Sequence, residues 1–84
     1  MTFKLIFEKV GDVNFDFPYL CVYIEGLSEP FMELSISSAR ELEFVFYPQE
    51  KELRLSLGNI EEIKTTGEKF FFEALENYES SGFC

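Results

Sequence analysis

The chain has 84 residues, of which 46% are hydrophobic and 18% aromatic, so it carries enough apolar surface to fold and too much for a disordered chain. Seven Lys and Arg residues against sixteen Asp and Glu residues give a net charge of −9. Nucleic acids and anionic membranes are bound through cationic side chains, so this charge argues against both classes of partner. We expect a single domain, residues 1–84, whose acidity either attracts a basic protein or simply keeps a small domain soluble.

Five segments alternate between apolar and polar residues, the period-two pattern of half-buried β-strands. In chain order they are residues 2–10, 18–25, 31–37, 41–47 and 52–57. Mostly short connections separate them, and three of the four contain glycine or proline, which favours an antiparallel meander. The sequence therefore predicts an antiparallel sheet of about five strands.

After Gly58 the period changes to about 3.6 residues, which predicts one C-terminal helix. Asn59 followed by Glu62 is typical of an N-cap with its capping-box partner. The segment TTGE at residues 65–68 is a rival start signal. Whether the helix runs unbroken through Gly67 does not follow from the sequence.

Three consecutive phenylalanines, Phe70, Phe71 and Phe72, cannot all lie on one helix face, because neighbouring residues are about 100° apart. With the apolar stripe centred on Ile60, the helical wheel assigns Phe71 to the core, Phe70 to its margin and Phe72 to the outside. We expect Phe72 either to fold back toward Phe83 or to contact a partner.

A helix covers only one face of such a sheet, so we predict an α+β fold with the C-terminal helix packed on the more apolar face. That face carries Phe3, Leu5, Phe7, Leu20, Val22, Ile24, Met32, Leu34, Ile36, Leu42, Phe44, Phe46, Leu53, Leu55 and Leu57. The pleat directs the intervening residues to the opposite face. These are Ile6, Glu8, Tyr19, Cys21, Tyr23, Glu25, Phe31, Glu33, Ser35, Glu41, Glu43, Val45 and Tyr47.

The uncovered face mixes aromatic side chains with carboxylates, a composition typical of protein-binding surfaces. The candidate partner-binding residues are Tyr19, Tyr23, Glu33, Glu41, Glu43, Tyr47 and Phe72. An alternative explanation is the ordinary preference of strands for tyrosine. Homodimerisation through this face is a third possibility, although its acids would then repel one another.

Patterns for catalysis and for metal binding fail in this sequence. Cys21 has no histidine in the chain to activate it, and Glu41 with Glu43 is better explained as a solvated pair than as an acid and base. Residues 12–16 begin like a calcium loop, but Phe17 occupies the position of the required glycine. We therefore expect no enzymatic activity, no metal and no cofactor.

The longest segment without a charged residue is residues 17–24, too short for a membrane span or for a signal peptide's apolar region together with its cleavage site. Cys21 and Cys84 form no spacing pattern that indicates a disulfide framework. Both observations favour a cytoplasmic protein with reduced thiols.

Residues 41–75, ELEFVFYPQEKELRLSLGNIEEIKTTGEKFFFEAL, are predicted to run strand, turn, strand and capped helix. This layout in a small, acidic, histidine-free chain resembles bacterial toxin-immunity proteins of the contact-dependent growth inhibition type. The resemblance implies a tight complex with one toxin domain, often a basic nuclease, whose active site or substrate surface is occluded. It transfers no residue roles.

The leading hypothesis is therefore an inhibitory protein that binds a basic toxin domain through its acidic, aromatic surface. One alternative is a nucleic-acid mimic, whose carboxylates imitate phosphates and block a DNA- or RNA-binding protein. Another is an adaptor domain that dimerises, and the sequence does not resolve whether the protein is a monomer or a dimer.

Overall fold

Residues 3–11 and 14–81, the part of the chain that the computed structural model describes, form a four-stranded antiparallel sheet and one C-terminal helix. The elements are β1 (Leu5–Val10), β2 (Tyr19–Ile24), β3 (Met32–Ile36), β4 (Leu42–Phe46) and α1 (Leu57–Ser81). The strands lie in the sheet in chain order, each antiparallel to its neighbour. The predicted α+β class and the antiparallel meander are confirmed. For residues 79–81 only the backbone is described.

The predicted fifth strand, residues 52–57, is wrong. Residues 52–56 form no strand, and Leu57 is the first residue of α1 and 74% exposed. In a four-stranded meander the end of β4 and the start of β1 lie at the same end of the sheet but on opposite edges, about 14 Å apart. The connection must return to β1, because Asn59 bonds to Phe3 there. Its leucines, Leu53 and Leu55, pack against the core on the way.

The core lies between the predicted apolar face of the sheet and α1. Val22 of β2 is the direct partner of Met32 in β3, and both side chains are fully buried together with Leu34. Ile63 and Phe70 of α1 belong to the same cluster. Burial of each such side chain contributes about 1.5–3 kcal/mol, so this cluster is the main attachment of the helix.

The helix begins two residues before the predicted N-cap. The Ser56 hydroxyl accepts a hydrogen bond from the Asn59 amide at 3.0 Å, and the Asn59 side-chain oxygen accepts one from the Ser56 amide at 3.3 Å. Ser56 and Asn59 thus form a reciprocal capping box, with Asn59 in the role that the sequence suggested for Glu62. Asn59 also joins α1 to the chain before β1, since its Nδ2 donates to the Phe3 carbonyl at 2.8 Å.

The buried side of α1 is rotated by about 60° from the predicted stripe. Its buried residues are Asn59, Ile63, Gly67, Phe70 and Ala74. Ile60, the predicted centre, is 46% exposed. Phe70 is therefore the core phenylalanine, Phe71 is half-buried, and the expected exposure of Phe72 is observed at 65%. Its predicted contact with Phe83 lies outside the described residues.

Gly67 lies within the unbroken helix, where α1 approaches the sheet closely. A Cβ atom at this position would be 3.1 Å from Cδ1 of Leu34 and 3.5 Å from Cδ2 of Leu42. The glycine that suggested a helix break is therefore a packing residue, placed where α1 crosses β3 and β4. Within the described part of the chain no helix is both long and apolar enough to cross a membrane.

We expect Gly67→Val to lower the free energy of unfolding by about 2 kcal/mol, since a branched side chain there must displace the fully buried Leu34. The measurement is urea denaturation followed by circular dichroism. Glu68→Val, which adds valine at the exposed neighbouring position, should cost less than about 1 kcal/mol. Equal losses in the two variants would show that helix and sheet are not in close contact at Gly67.

Candidate functional site

The face of the sheet opposite α1, here called the open face, is built by alternate residues of all four strands. It consists of Lys4, Ile6, Glu8 and Val10 from β1 and its flank, Tyr19, Cys21, Tyr23 and Glu25 from β2 and its flank, Glu33 and Ser35 from β3, and Glu41, Glu43, Val45 and Tyr47 from β4 and its flanks. The register pairs Glu8 with Cys21, Cys21 with Glu33, and Glu33 with Val45. Directly opposed residues share a face, so these four side chains form one row across the sheet.

Two tyrosines of the open face are hydrogen-bonded to carboxylates on other strands. The Tyr23 hydroxyl donates to Oε1 of Glu8 at 2.9 Å, and the Tyr47 hydroxyl donates to Oε1 of Glu33. These bonds hold each ring beside a negative charge. The surface therefore repeats one unit, an aromatic ring next to a carboxylate.

The tyrosine bonds favour the neutral phenol in the folded protein. Burial, followed by the bond to Glu33, raises the pKa of Tyr47 well above its ordinary value. The bond to Glu8 is the main cause that raises the pKa of Tyr23. Both rings therefore stay uncharged at neutral pH, and the negative charge of the face resides on its glutamates.

Cys21 lies in the middle of the open face and is nevertheless buried. Burial raises the pKa of its thiol, and the carboxylates of Glu33 and Glu8 on either side raise it further. The thiolate is the reactive form of cysteine, so this thiol is poorly suited to nucleophilic chemistry at neutral pH.

The carboxylates do not form a continuous line. Glu8 and Glu33 lie two strands apart, about 10 Å, with the Cys21 thiol between them. Immediately before β1, Nζ of Lys4 forms an ion pair with Oε2 of Glu25 at a distance of 3.5 Å. The face is thus a mixed patch of acids and rings rather than a regular row of charges.

The structure brings together six of the seven predicted contact residues. Tyr19, Tyr23, Glu33 and Tyr47 are half-buried on the open face, and Glu41 and Glu43 are exposed there. Phe72 is not part of this surface. It lies about 180° around α1 from the buried side, so it points away from the sheet.

Phe31, predicted on the open face, is buried and belongs to the core cluster. Phe31 precedes β3, whose pairing with β2 begins at Met32. Its amide donates a hydrogen bond to the Val22 carbonyl at 3.0 Å, although Val22 is already the direct partner of Met32. The strict alternation does not extend to this residue, so its side chain does not follow the pattern of β3.

Sequence reasoning missed two exposed phenylalanines. Phe44 and Phe46 lie on the face that carries α1, because they are the direct partners of the buried Leu34 and Met32, yet they are 43% and 60% exposed. The prediction had placed a fifth strand beside them. Since β4 is the last strand of the sheet, these rings remain at its edge.

Among residues 3–11 and 14–81, no three His, Cys, Asp or Glu side chains are grouped so that they could hold a metal ion. Residues 12–16, which begin like a calcium loop in the sequence, lie partly outside the described residues.

Replacing Tyr47 by phenylalanine should change how stability depends on pH. The pKa of Tyr47 is raised in the folded protein, so the neutral phenol stabilises the fold. Its contribution to the free energy of unfolding is complete below the ordinary tyrosine pKa of about 10 and is lost as the pH rises above that value. The stability difference between wild type and Tyr47→Phe should therefore be largest near pH 8 and narrow above about pH 10. Urea midpoints across this range measure it, and a constant difference would contradict a raised pKa of Tyr47 in the folded protein.

Comparisons of the chain with protein-family models, with curated proteins and with solved structures return no match.

Proposed function

We propose that the open face binds a basic protein, and that the chain is an immunity-type inhibitor which neutralises a cognate toxin domain. The observation that carries the proposal is the repeated pairing of a tyrosine ring with a carboxylate, Tyr23 with Glu8 and Tyr47 with Glu33. The net charge of −9 adds a long-range attraction for a basic partner.

Each tyrosine–glutamate unit suits an arginine side chain of the partner. A guanidinium group can stack on the aromatic ring while its N–H groups donate to the adjacent carboxylate. Lysine has no planar group for the same dual contact, so the units favour arginine. A nuclease toxin binds the phosphates of its substrate through such arginine side chains. Binding to the open face would cover these arginines and block the substrate.

The half-buried tyrosines supply the anchoring part of the contact. Because their hydroxyls already have hydrogen-bond acceptors, covering Tyr23 or Tyr47 with a partner leaves no hydroxyl without a bond. The exposed Glu41 and Glu43 lie at one side of the face and would contribute mainly to steering.

The test is capture of a partner on immobilised protein from a lysate of the source organism, followed by calorimetry with the purified partner. We expect a basic protein whose affinity falls only moderately between about 0.05 and 0.5 M NaCl, since the tyrosine contacts are not screened. A gene for a large secreted toxin next to the gene of this chain would support the same assignment.

The nucleic-acid mimic differs in its salt dependence. A mimic binds almost entirely through charge, so its affinity should fall steeply over the same salt range. The mixed arrangement of Glu8, Cys21 and Glu33 does not favour it, because phosphate mimicry requires a regular line of charges. A steep loss of affinity would favour the mimic over the inhibitor anchored by tyrosines.

A further inference from the structure

Among residues 3–11 and 14–81, no strand pairs with the outer edge of β4, so the backbone groups on this edge have no partner there. The Tyr47 amide donates to the Phe31 carbonyl at 3.0 Å, and the Ser37 amide donates to the Glu41 carbonyl at 2.9 Å. Along a strand, successive residues direct their N–H and C=O groups to opposite sides. Residues 41, 43, 45 and 47 therefore bond to β3, whereas Leu42, Phe44 and Phe46 direct three N–H and three C=O groups away from it.

The side chains at this edge are apolar. Phe44 and Phe46 are 43% and 60% exposed on the face that carries α1, and Val45 is 37% exposed on the open face. Soluble proteins usually protect an edge strand with lysine, proline or a bulge. The sequence of β4, LEFVF, contains neither lysine nor proline, and its one charge, Glu43, lies on the open face.

We propose that this edge pairs with β4 of a second copy of the chain, antiparallel about a two-fold axis at Phe44. In that register Phe44 lies opposite Phe44 of the second copy, and Leu42 lies opposite Phe46. These are the residues whose N–H and C=O groups point outward, so all six groups on each chain face a partner and six interchain hydrogen bonds form. The two four-stranded sheets become one continuous sheet.

The charges of the open face are compatible with this register. It places Glu43 opposite Val45 and Glu41 opposite Tyr47, so no carboxylate directly faces another across the dimer axis. Moving the axis to Glu43 would oppose two carboxylates. Moving it to Val45 would set Leu42 opposite Pro48, which has no N–H group. Of the registers centred on Glu43, Phe44 and Val45, the one centred on Phe44 is therefore the most self-complementary.

The dimer differs from the complex with a basic protein in its response to salt. Two chains of charge −9 repel each other, and salt screens that repulsion without weakening the contact between phenylalanines. Dimerisation should therefore strengthen between about 0.05 and 0.5 M NaCl, whereas binding of a basic partner weakens. Failure of one proposal consequently does not imply failure of the other.

Sedimentation velocity from about 1 μM to about 1 mM protein measures the association directly. The wild type should reach twice the 9.8 kDa chain mass in about 0.5 M NaCl. Phe44→Lys, which opposes two ammonium groups at the axis, should raise the dissociation constant at least about tenfold. A wild-type protein that stays at 9.8 kDa throughout would overturn the proposal.

Two further variants separate edge pairing from loss of folding and from general hydrophobic association. Phe46→Pro removes an outward N–H that β3 does not use, so it should weaken the dimer while circular dichroism stays that of the folded monomer. Phe72→Lys removes an equally exposed phenylalanine from the outer side of α1 and should leave the dimer intact. Association that survives Phe46→Pro, or that is lost in Phe72→Lys, would contradict pairing through β4.

The register has its own test in a Cys84→Ser background. Positions 43 and 45 of the two copies are opposed in a pair with Cα atoms about 4.5 Å apart, within disulfide range. A mixture of Glu43→Cys and Val45→Cys chains should therefore form interchain disulfides. Either variant alone should not, because like positions are about 8 Å apart. Cross-linking of a single variant would disprove this register.

Discussion

Asn59→Ala is expected to lower the free energy of unfolding by about 3 kcal/mol, a large fraction of the stability of a small domain. Asn59 is 1% exposed. Its side chain donates to the Phe3 carbonyl at 2.8 Å and accepts from the Phe3 and Ser56 amides, each at 3.3 Å. Alanine leaves these backbone groups without partners, which costs about 1–3 kcal/mol for each group that stays buried.

Ser56→Ala separates capping from the link between α1 and β1. It removes the hydroxyl that caps the Asn59 amide but keeps both bonds from Asn59 to Phe3, so we expect a loss of about 1 kcal/mol. Asn59→Asp keeps the acceptor but sets a carboxylate against the Phe3 carbonyl, and it should cost more than Ser56→Ala. Urea denaturation measures all three. Equal losses for Asn59→Ala and Ser56→Ala would show that the link to Phe3 contributes nothing.

The double variant Glu43→Lys with Tyr47→Ala is expected to weaken the complex with the basic partner by about 3 kcal/mol, or more than a hundredfold in Kd. Tyr47→Ala removes a half-buried ring and the hydroxyl that orients Glu33. Glu43→Lys adds repulsion at an exposed position of the same face. Calorimetry with the partner captured by the wild type measures the loss, and circular dichroism confirms that the variant is folded.

A matched double variant on α1 makes the same chemical changes elsewhere. Glu68→Lys with Phe72→Ala reverses one charge and removes one ring from the side of the helix that faces away from the sheet. We expect its affinity to stay within about threefold of the wild type. If this control loses as much affinity as the double variant at Glu43 and Tyr47, the partner contacts the helix surface around Phe72. Partner contact is one of the two roles that the sequence predicts for Phe72.

The sheet could be predicted because the alternation of apolar residues determines which side chains face the core. The same pattern predicted a fifth strand at residues 52–57, and there it failed. Leu53 and Leu55 do face the core, but alternation does not report whether the backbone has a neighbouring strand to pair with. The return of the chain from β4 to β1 is a property of the topology, and it excluded that pairing.

The helix was predicted with its stripe about 60° out of position because hydrophobicity gave no weight to an asparagine. Asn59 is buried through its bonds to Phe3, a residue 56 positions away in the chain, and no local pattern indicates such a contact. With Asn59 on the buried side of α1, Ile60 faces solvent and Phe70 lies in the core in place of Phe71.

The composition of the open face followed from the pleat, but its internal bonds did not. Whether Tyr23 reaches Glu8, or Tyr47 reaches Glu33, depends on the strand register, and the sequence does not specify that register. The exposed edge of β4 escaped prediction for a related reason, since the expected fifth strand would have covered Phe44 and Phe46.

The central claim, that the open face recognises arginine-rich proteins, is tested most directly by nuclear magnetic resonance with an octa-arginine peptide. The outer side of α1 also carries many acids, so general charge attraction would involve the helix as well. We predict that the amide shifts concentrate at Tyr23, Glu33 and Tyr47, and that octa-lysine causes smaller shifts there. Shifts centred on α1 around Glu68 and Phe72, or equal shifts with both peptides, would contradict the account.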